Sequence, residues 1–350
     1  MSESPTTNDT GKRRSKSLTF GYLYDFRRFP GDETPIETMY ARTLDLIEWT
    51  ESVGFGGAWV PEHHGAPDGY QPAPMLALSA IAARTRTMKL GTGIAIAPLY
   101  HPVRFAEECA VLDILSEGRL EMAVGIGYRK REYESFGLDF RRRGARFDEF
   151  LHIVRQLWAG EQVTFSGQHF TLDRARILPR SMRGQIPLYL GGFSDKALER
   201  AVREGDGYLG VAECCEAYVA KVAGAGKDPW ELPVRIPGLF FMVAEDPEEA
   251  MAELGPYYHY VNNSYGAFAL EDGALGLDGP AVKPMSLEDF KSSGILEICT
   301  PQEARDKFTA LREKMPLDHF MMMLPAGCPP ELFAKYAAIF AKEVIPHFAD

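Results

Sequence analysis

Glu62, His63 and His64 stand together just past a short apolar run, residues 55–60, that reads as a β-strand. Two adjacent imidazoles behind a carboxylate supply groups that gain and lose protons near neutral pH, so a general base or acid is the chemistry this triplet could do. A surface turn in which Glu62 and His64 simply face water is the alternative reading of the same residues. What decides between them is the framework. Strands are expected at 18–24, 55–60, 89–96, 120–126, 187–191, 207–211, 234–243 and 319–324. Helices are expected between them at 36–53, 74–84, 103–115, 145–159, 195–204, 216–225, 247–261 with 301–314, and 330–344. Alternation of this kind is the pattern of a parallel sheet with helical crossovers, and eight strands suit a (β/α)₈ TIM barrel, whose chemistry sits at the C-terminal strand ends. A doubly wound open sheet has the same count, but the first strand-helix turn lacks the glycine fingerprint of a dinucleotide fold.

Two stretches exceed ordinary connectors. Residues 160–186 contain a Ser166-Gly167 turn between two short β-prone runs, which reads as a hairpin. Residues 262–294 are rich in Gly, Ala and Pro; they read as a long loop, either a lid or an inert excursion.

Composition narrows the class of function. At 350 residues and 45% hydrophobic content the chain can bury a large core, and one domain over residues 18–350 is the simplest organisation. A net charge of −11 argues against nucleic acid or an anionic membrane as partner. The one basic run lies in a polar tail, residues 1–17, which reads as disordered and lacks the apolar segment of a secretory signal. No apolar stretch approaches the ~20 residues that span a bilayer. Five cysteines, an odd number without metal-ligand spacing, are expected to be reduced, mostly buried thiols of a cytoplasmic enzyme. The histidines, scattered apart from the 63/64 pair, offer no metal site.

Downstream of the triplet, Gly91-Thr92-Gly93 is followed by His101-Pro102-Val103-Arg104, then by Leu112-Asp113 and by Gly118-Arg119. In this order and at these spacings the series resembles the bacterial luciferase-like, flavin-dependent monooxygenases. The resemblance implies a TIM barrel that binds reduced FMN, lets it react with O₂ to a flavin hydroperoxide, and oxygenates a small organic substrate. No flavin-reducing module is evident, so a separate flavin reductase is implied. So is a homodimer, formed through the helices near the second and third strands, where Ala73, Leu76, Ala77, Ala80 and Ile81 meet Val103, Ala106, Ala110 and Val111. An F420-dependent oxidoreductase on the same barrel is the rival enzyme, and a non-catalytic flavin-binding relative the rival from another class.

The resemblance also assigns residues. His63 matches the family's proton-transferring histidine, with Glu62 as its orienting partner or a helix-entry carboxylate, and His64 in a lesser share. The flavin ring is expected against Gly93, Ile94 and Tyr128, with a non-proline cis peptide at Gly93-Ile94. Its phosphate is expected on Gly192, Phe193 and Ser194, where glycine-freed amides at a helix start could seat an anion. Ser194 would equally serve as a plain helix cap, and Asp195 would repel a phosphate unless turned away. Arg146 is the second phosphate candidate, because a guanidinium grips phosphate oxygens in pairs. Bacterial luciferase carries an arginine where this chain has Ile126, so one phosphate contact of the family is absent here.

Overall fold

In the computed structural model, which describes residues 17–271 and 282–349, nine of the strands form one parallel sheet wrapped by helices. The expected tail, apart from Ser17, lies outside the described residues. Around the sheet the strands run Lys89–Thr92, Gly57–Val60, Thr19–Leu23, Leu317–Met323, Val234–Pro237, Gly207–Leu209, Leu188–Gly191, Met122–Gly125 and Ala95–Ile96. The first and last of these are consecutive in the chain. Lys89–Thr92 pairs with the second strand, while Ala95–Ile96 pairs with Met122–Gly125, and a bridge joins Leu90 to Leu120. They are two halves of one strand, so the nine segments close into an eight-stranded barrel.

Near-continuous burial explains why the strands are parallel and central. Every residue of Gly57–Val60 and of Met122–Gly125 is buried, as expected where one face lines a packed barrel interior and the other lies under helices. The helices begin where the sequence signals them. Proline occupies the first turn of Pro74–Arg84 and Pro102–Leu115, where its missing N–H costs nothing, and Thr300 with Glu303 forms a capping box at Pro301–Lys314.

Two expectations change. The run expected as one strand at 234–243 is split: Val234–Pro237 stays in the barrel, while Phe241–Val243 pairs with Glu297–Cys299 in a separate two-stranded sheet. Pro237 has no N–H to extend a ladder, and the ring of Phe320 fills the space beside Gly238. The expected loop at 262–294 is in part helix: Pro247–Glu271 runs on past residue 261, and Leu287–Ser292 forms a further turn. Tyr258, Val261 and Phe268 are buried at helical spacing, which is the apolar stripe that carries the helix forward. Residues 272–281 of that segment lie outside the described residues. The hairpin, Val163–Ser166 against Thr171–Ala175, forms as expected.

Candidate active site

Just past the second strand the three side chains of the triplet take different partners. His63 turns to one side and Glu62 and His64 to the other. The Nδ1 of His63 lies 2.8 Å from Oε1 of Glu132, a residue only 1% exposed. A carboxylate accepts, so Nδ1 carries the hydrogen and Nε2 of neutral His63 keeps its lone pair. That nitrogen faces the Tyr128 hydroxyl at 3.5 Å. Burial pushes the Tyr128 phenol well above its ordinary value, which keeps it a protonated donor. The rings of Tyr70, Tyr128, Tyr265 and Phe268 surround the imidazole, with centroids 4.7 to 6.2 Å away.

Glu62 is not the partner of His63. One of its oxygens meets Nε2 of His64 at 2.8 Å, and the other accepts the Ile96 N–H at 2.7 Å, tying the second strand's exit to the far half of the third strand. His64 donates its backbone N–H to Glu132 and rests its ring on Phe136. The sequence reading missed Glu132 as the partner. It lies 69 residues from His63, on the short helix Lys130–Ser135 after the fourth barrel strand, and only the closure of the barrel brings the two together.

The end of the Pro247–Glu271 helix covers this mouth. Tyr265 joins its hydroxyl to that of Tyr70 at 2.8 Å, Tyr260 donates to Asp68 at 2.9 Å, and Glu271 pairs with Arg129, whose guanidinium lies 3.9 Å from the Phe268 ring. Beside it, past the first strand, Arg27 donates from Nε to Asp25 and sits 4.4 Å from the centre of the Tyr70 ring.

The residues expected to hold a flavin fall into two groups. In the first, the Gly93-Ile94 peptide is cis, and the Ile94 side chain packs where a Cβ on Gly125 would be, close by Gly191 as well. In the second, Gly192 has a φ of +146°, and a Cβ there would meet that of Ala197 at 2.6 Å, so only glycine fits this turn. Ser194 caps the Asp195–Glu204 helix by accepting the Ala197 N–H. The earlier N–H groups of that helix have no intrahelical acceptor. Asp195 is turned away to Lys221, 2.8 Å off, and this contact lowers its carboxyl below the usual range. Phe193 is exposed. Arg146 has other contacts: Nε donates to the Pro98 carbonyl at 2.8 Å, Nη1 to that of His169 at 3.4 Å, and the guanidinium lies 4.2 Å from the Phe170 ring.

Other sequence signals prove structural. Asp113, wholly buried, accepts from Met182 and Arg183, and Arg119 donates to the carbonyls of Ala82, Thr85, Met88 and Ser116. Among the described residues no cluster of three or more His, Cys, Asp or Glu could hold a metal, and no helix is long and apolar enough to cross a membrane.

Comparison with known proteins bears on the fold and the family. The chain is 28% identical over 177 residues, 50% of its length and 49% of theirs, to the oxygenase component of flavin-dependent trigonelline monooxygenase from Acinetobacter baylyi. It is 30% identical over 225 residues, 60% of this chain and 61% of the other, to the F420-dependent hydroxymycolic acid dehydrogenase of Mycobacterium tuberculosis. The chain spans about half the length of several curated relatives it matches. Its fold superposes on the crystal structure of the monooxygenase RslO1 from Streptomyces bottropensis with a TM-score of 0.80 and 26% identity, covering 95% of this chain and all (100%) of that one. The luciferase-like monooxygenase profile matches residues 18–319, from the first barrel strand into the last, and takes in every site element described above: the chain belongs to the luciferase-like monooxygenase family, whose members include flavin-dependent monooxygenases and F420-dependent oxidoreductases.

Proposed function

We propose that this chain is the oxygenase component of a two-component monooxygenase that takes reduced FMN from a separate reductase and uses O₂ on a small organic substrate. The observation that carries the reading is the buried His63–Glu132 pair, which leaves a lone-pair nitrogen at the barrel mouth inside a wall of aromatic rings. The turn at Gly192 to Ser194 fits a flavin phosphate: its glycine admits no side chain, its capping hydroxyl stands at a helix start, and its nearest carboxylate is drawn off by Lys221. In this reading Gly93, Ile94 and Tyr128 meet the ring. Bound there, reduced FMN supplies the electrons that O₂ takes up.

The chain's own residues do the rest. His63 accepts a proton at Nε2 and returns it, with Glu132 fixing the tautomer and stabilising the imidazolium once it forms. Tyr128 orients that nitrogen. Tyr265 and Phe268, on the covering helix, keep water from the mouth, which strengthens the polar contacts inside it. Glu62 and His64 hold the strand exit from outside, and Arg146 fixes the turn after the third strand.

Anaerobic titration with reduced FMN and, separately, reduced F420 tests the reading. Tighter binding of FMN, with oxygen uptake that depends on an added reductase, is expected. Tight F420 binding with hydride transfer in the absence of O₂ overturns it in favour of the deazaflavin branch. A homodimer belongs to the same proposal. Ala77, Ile81, Ala106 and Ala110 face the barrel, but Leu76, Val111 and Leu115 present an exposed apolar face on neighbouring helices. Sedimentation at about twice the 39.0 kDa chain mass is expected.

A further inference from the structure

Arg27 is 2% exposed, yet neither of its Nη atoms has a hydrogen-bond partner among the described residues. Of the guanidinium only Nε is bonded, donating to Oδ2 of Asp25 at 2.8 Å, while the Arg27 backbone N–H donates to Oδ1 of the same carboxylate at 3.2 Å. Asp68 stands 3.6 Å from Nη1, too far for a hydrogen bond, and accepts instead from Tyr260 and from the Tyr70 backbone. A buried guanidinium lacking these bonds is costly unless something completes it. The remaining neighbours are aromatic. The guanidinium carbon lies 4.4 Å from the Tyr70 ring centre and 5.6 Å from that of Tyr265, and both rings also flank His63.

We propose that Arg27 is the specificity-determining residue of this mouth, presenting its Nη1/Nη2 edge to a carboxylate on the substrate so that the rest of the molecule lies among the tyrosines beside His63. The Nη edge of a guanidinium matches the spacing of two carboxylate oxygens, and the ring faces suit a flat apolar body. The acid reaches this edge by displacing the Tyr265 ring, which is the farther of the two rings and sits on the covering helix rather than on the barrel. Asp25 holds the guanidinium in place without occupying this edge. The two ion-pair carboxylates, Asp25 and Asp68, repel any acid that is not aligned with the guanidinium, so the site selects by geometry as well as by charge.

This inference rests on the reading of the mouth as a substrate site, and its test separates the two. Benzoate and its neutral isostere benzamide are titrated calorimetrically into the full chain and into Arg27→Gln and Arg27→Lys. In the unmodified chain benzoate is expected to bind at least tenfold more tightly than benzamide, the scale of a charge-assisted contact. Arg27→Gln abolishes that preference, and Arg27→Lys retains part of it. Equal affinities in the unmodified chain, or none for benzoate, overturn the proposal whether or not the variants fold. A preference that survives in folded Arg27→Gln overturns it too. A benzoate preference that depends on Arg27 in a chain that binds no reduced FMN leaves the acid site standing and overturns the oxygenase reading instead. Flavin-dependent oxygen uptake without the preference overturns the acid site alone.

Discussion

Two buried histidines at opposite ends of the same barrel differ in what their partners leave free. His319, in the last strand, is 2% exposed and both ring nitrogens are engaged: Nδ1 with Thr19 Oγ1 at 2.8 Å, Nε2 accepting from the Trp59 indole at 2.7 Å. Burial and the neighbouring Arg235 hold it well below its ordinary value, so it is a neutral structural element. Around it Arg235 is bonded to Glu121, Asp318 and Tyr189, a charged network that braces the barrel interior. His63 is buried almost as deeply, but only Nδ1 has a charged partner and Nε2 is left to a phenol at the limit of contact. Burial alone does not mark a functional histidine. What sets His63 apart is an uncommitted nitrogen at the C-terminal end of the strands, the end where barrel enzymes carry their chemistry.

The comparison breaks first at His63. His63→Ala is expected to lower turnover by about 10²- to 10⁴-fold, the usual worth of one proton-transfer group, while the thermal transition and flavin affinity stay close to those of the parent. Glu132→Gln should fall less, by roughly ten- to a hundredfold, with the pH profile of kcat displaced because the imidazolium loses its carboxylate. A kcat profile unchanged in both variants would make His63 as structural as His319.

The reverse pattern is expected for His319→Ala. Removing the ring orphans the Trp59 indole and leaves a cavity, which costs about 2–4 kcal/mol of stability in urea unfolding while turnover of the folded fraction is kept. The parent should also weaken in acid. Because the folded-state value of His319 lies below the unfolded one, its contribution is complete above about pH 6.5 and is lost as pH falls below that value toward the depressed one. A urea midpoint that falls no faster between pH 7 and 5 in the parent than in His319→Gln would contradict the neutral assignment.

The smallest effects sharpen the flavin side. Ser194→Ala removes a helix cap worth about 1 kcal/mol, and is expected to weaken FMN several-fold while sparing riboflavin. Arg146→Ala, which loses its contacts to Pro98 and His169, should weaken both flavins alike. A loss confined to FMN would show that Arg146 reaches the phosphate directly, as the family resemblance implies.

Much of the framework was legible because it is written in local chemistry. Apolar runs at the spacing of strands, proline in the first turns of helices, and Ser194 before an amphipathic segment fix the elements, and the bounds 74–84 and 195–204 come directly from such signals. The order of the motifs carried the family. The helix through residues 262–271 was obscured by the weak helix formers Asn262, Asn263, Ser264 and Gly266, although Tyr258, Val261 and Phe268 already stand at helical intervals. Strand breakage after Pro237 likewise depends on a distant ring, that of Phe320.

What the sequence by itself determined is therefore the set of barrel elements and the placing of Glu62, His63 and His64 at a strand end. Pairing was decided elsewhere. That Glu132 rather than Glu62 orients His63, that Asp195 turns to Lys221, and that Arg27 is left with an uncommitted edge beside Tyr70 all depend on which strand ends the closed barrel sets side by side. Hydrogen bonds and ion pairs act over about 3–4 Å, and only the tertiary structure brings residues tens of positions apart within that range.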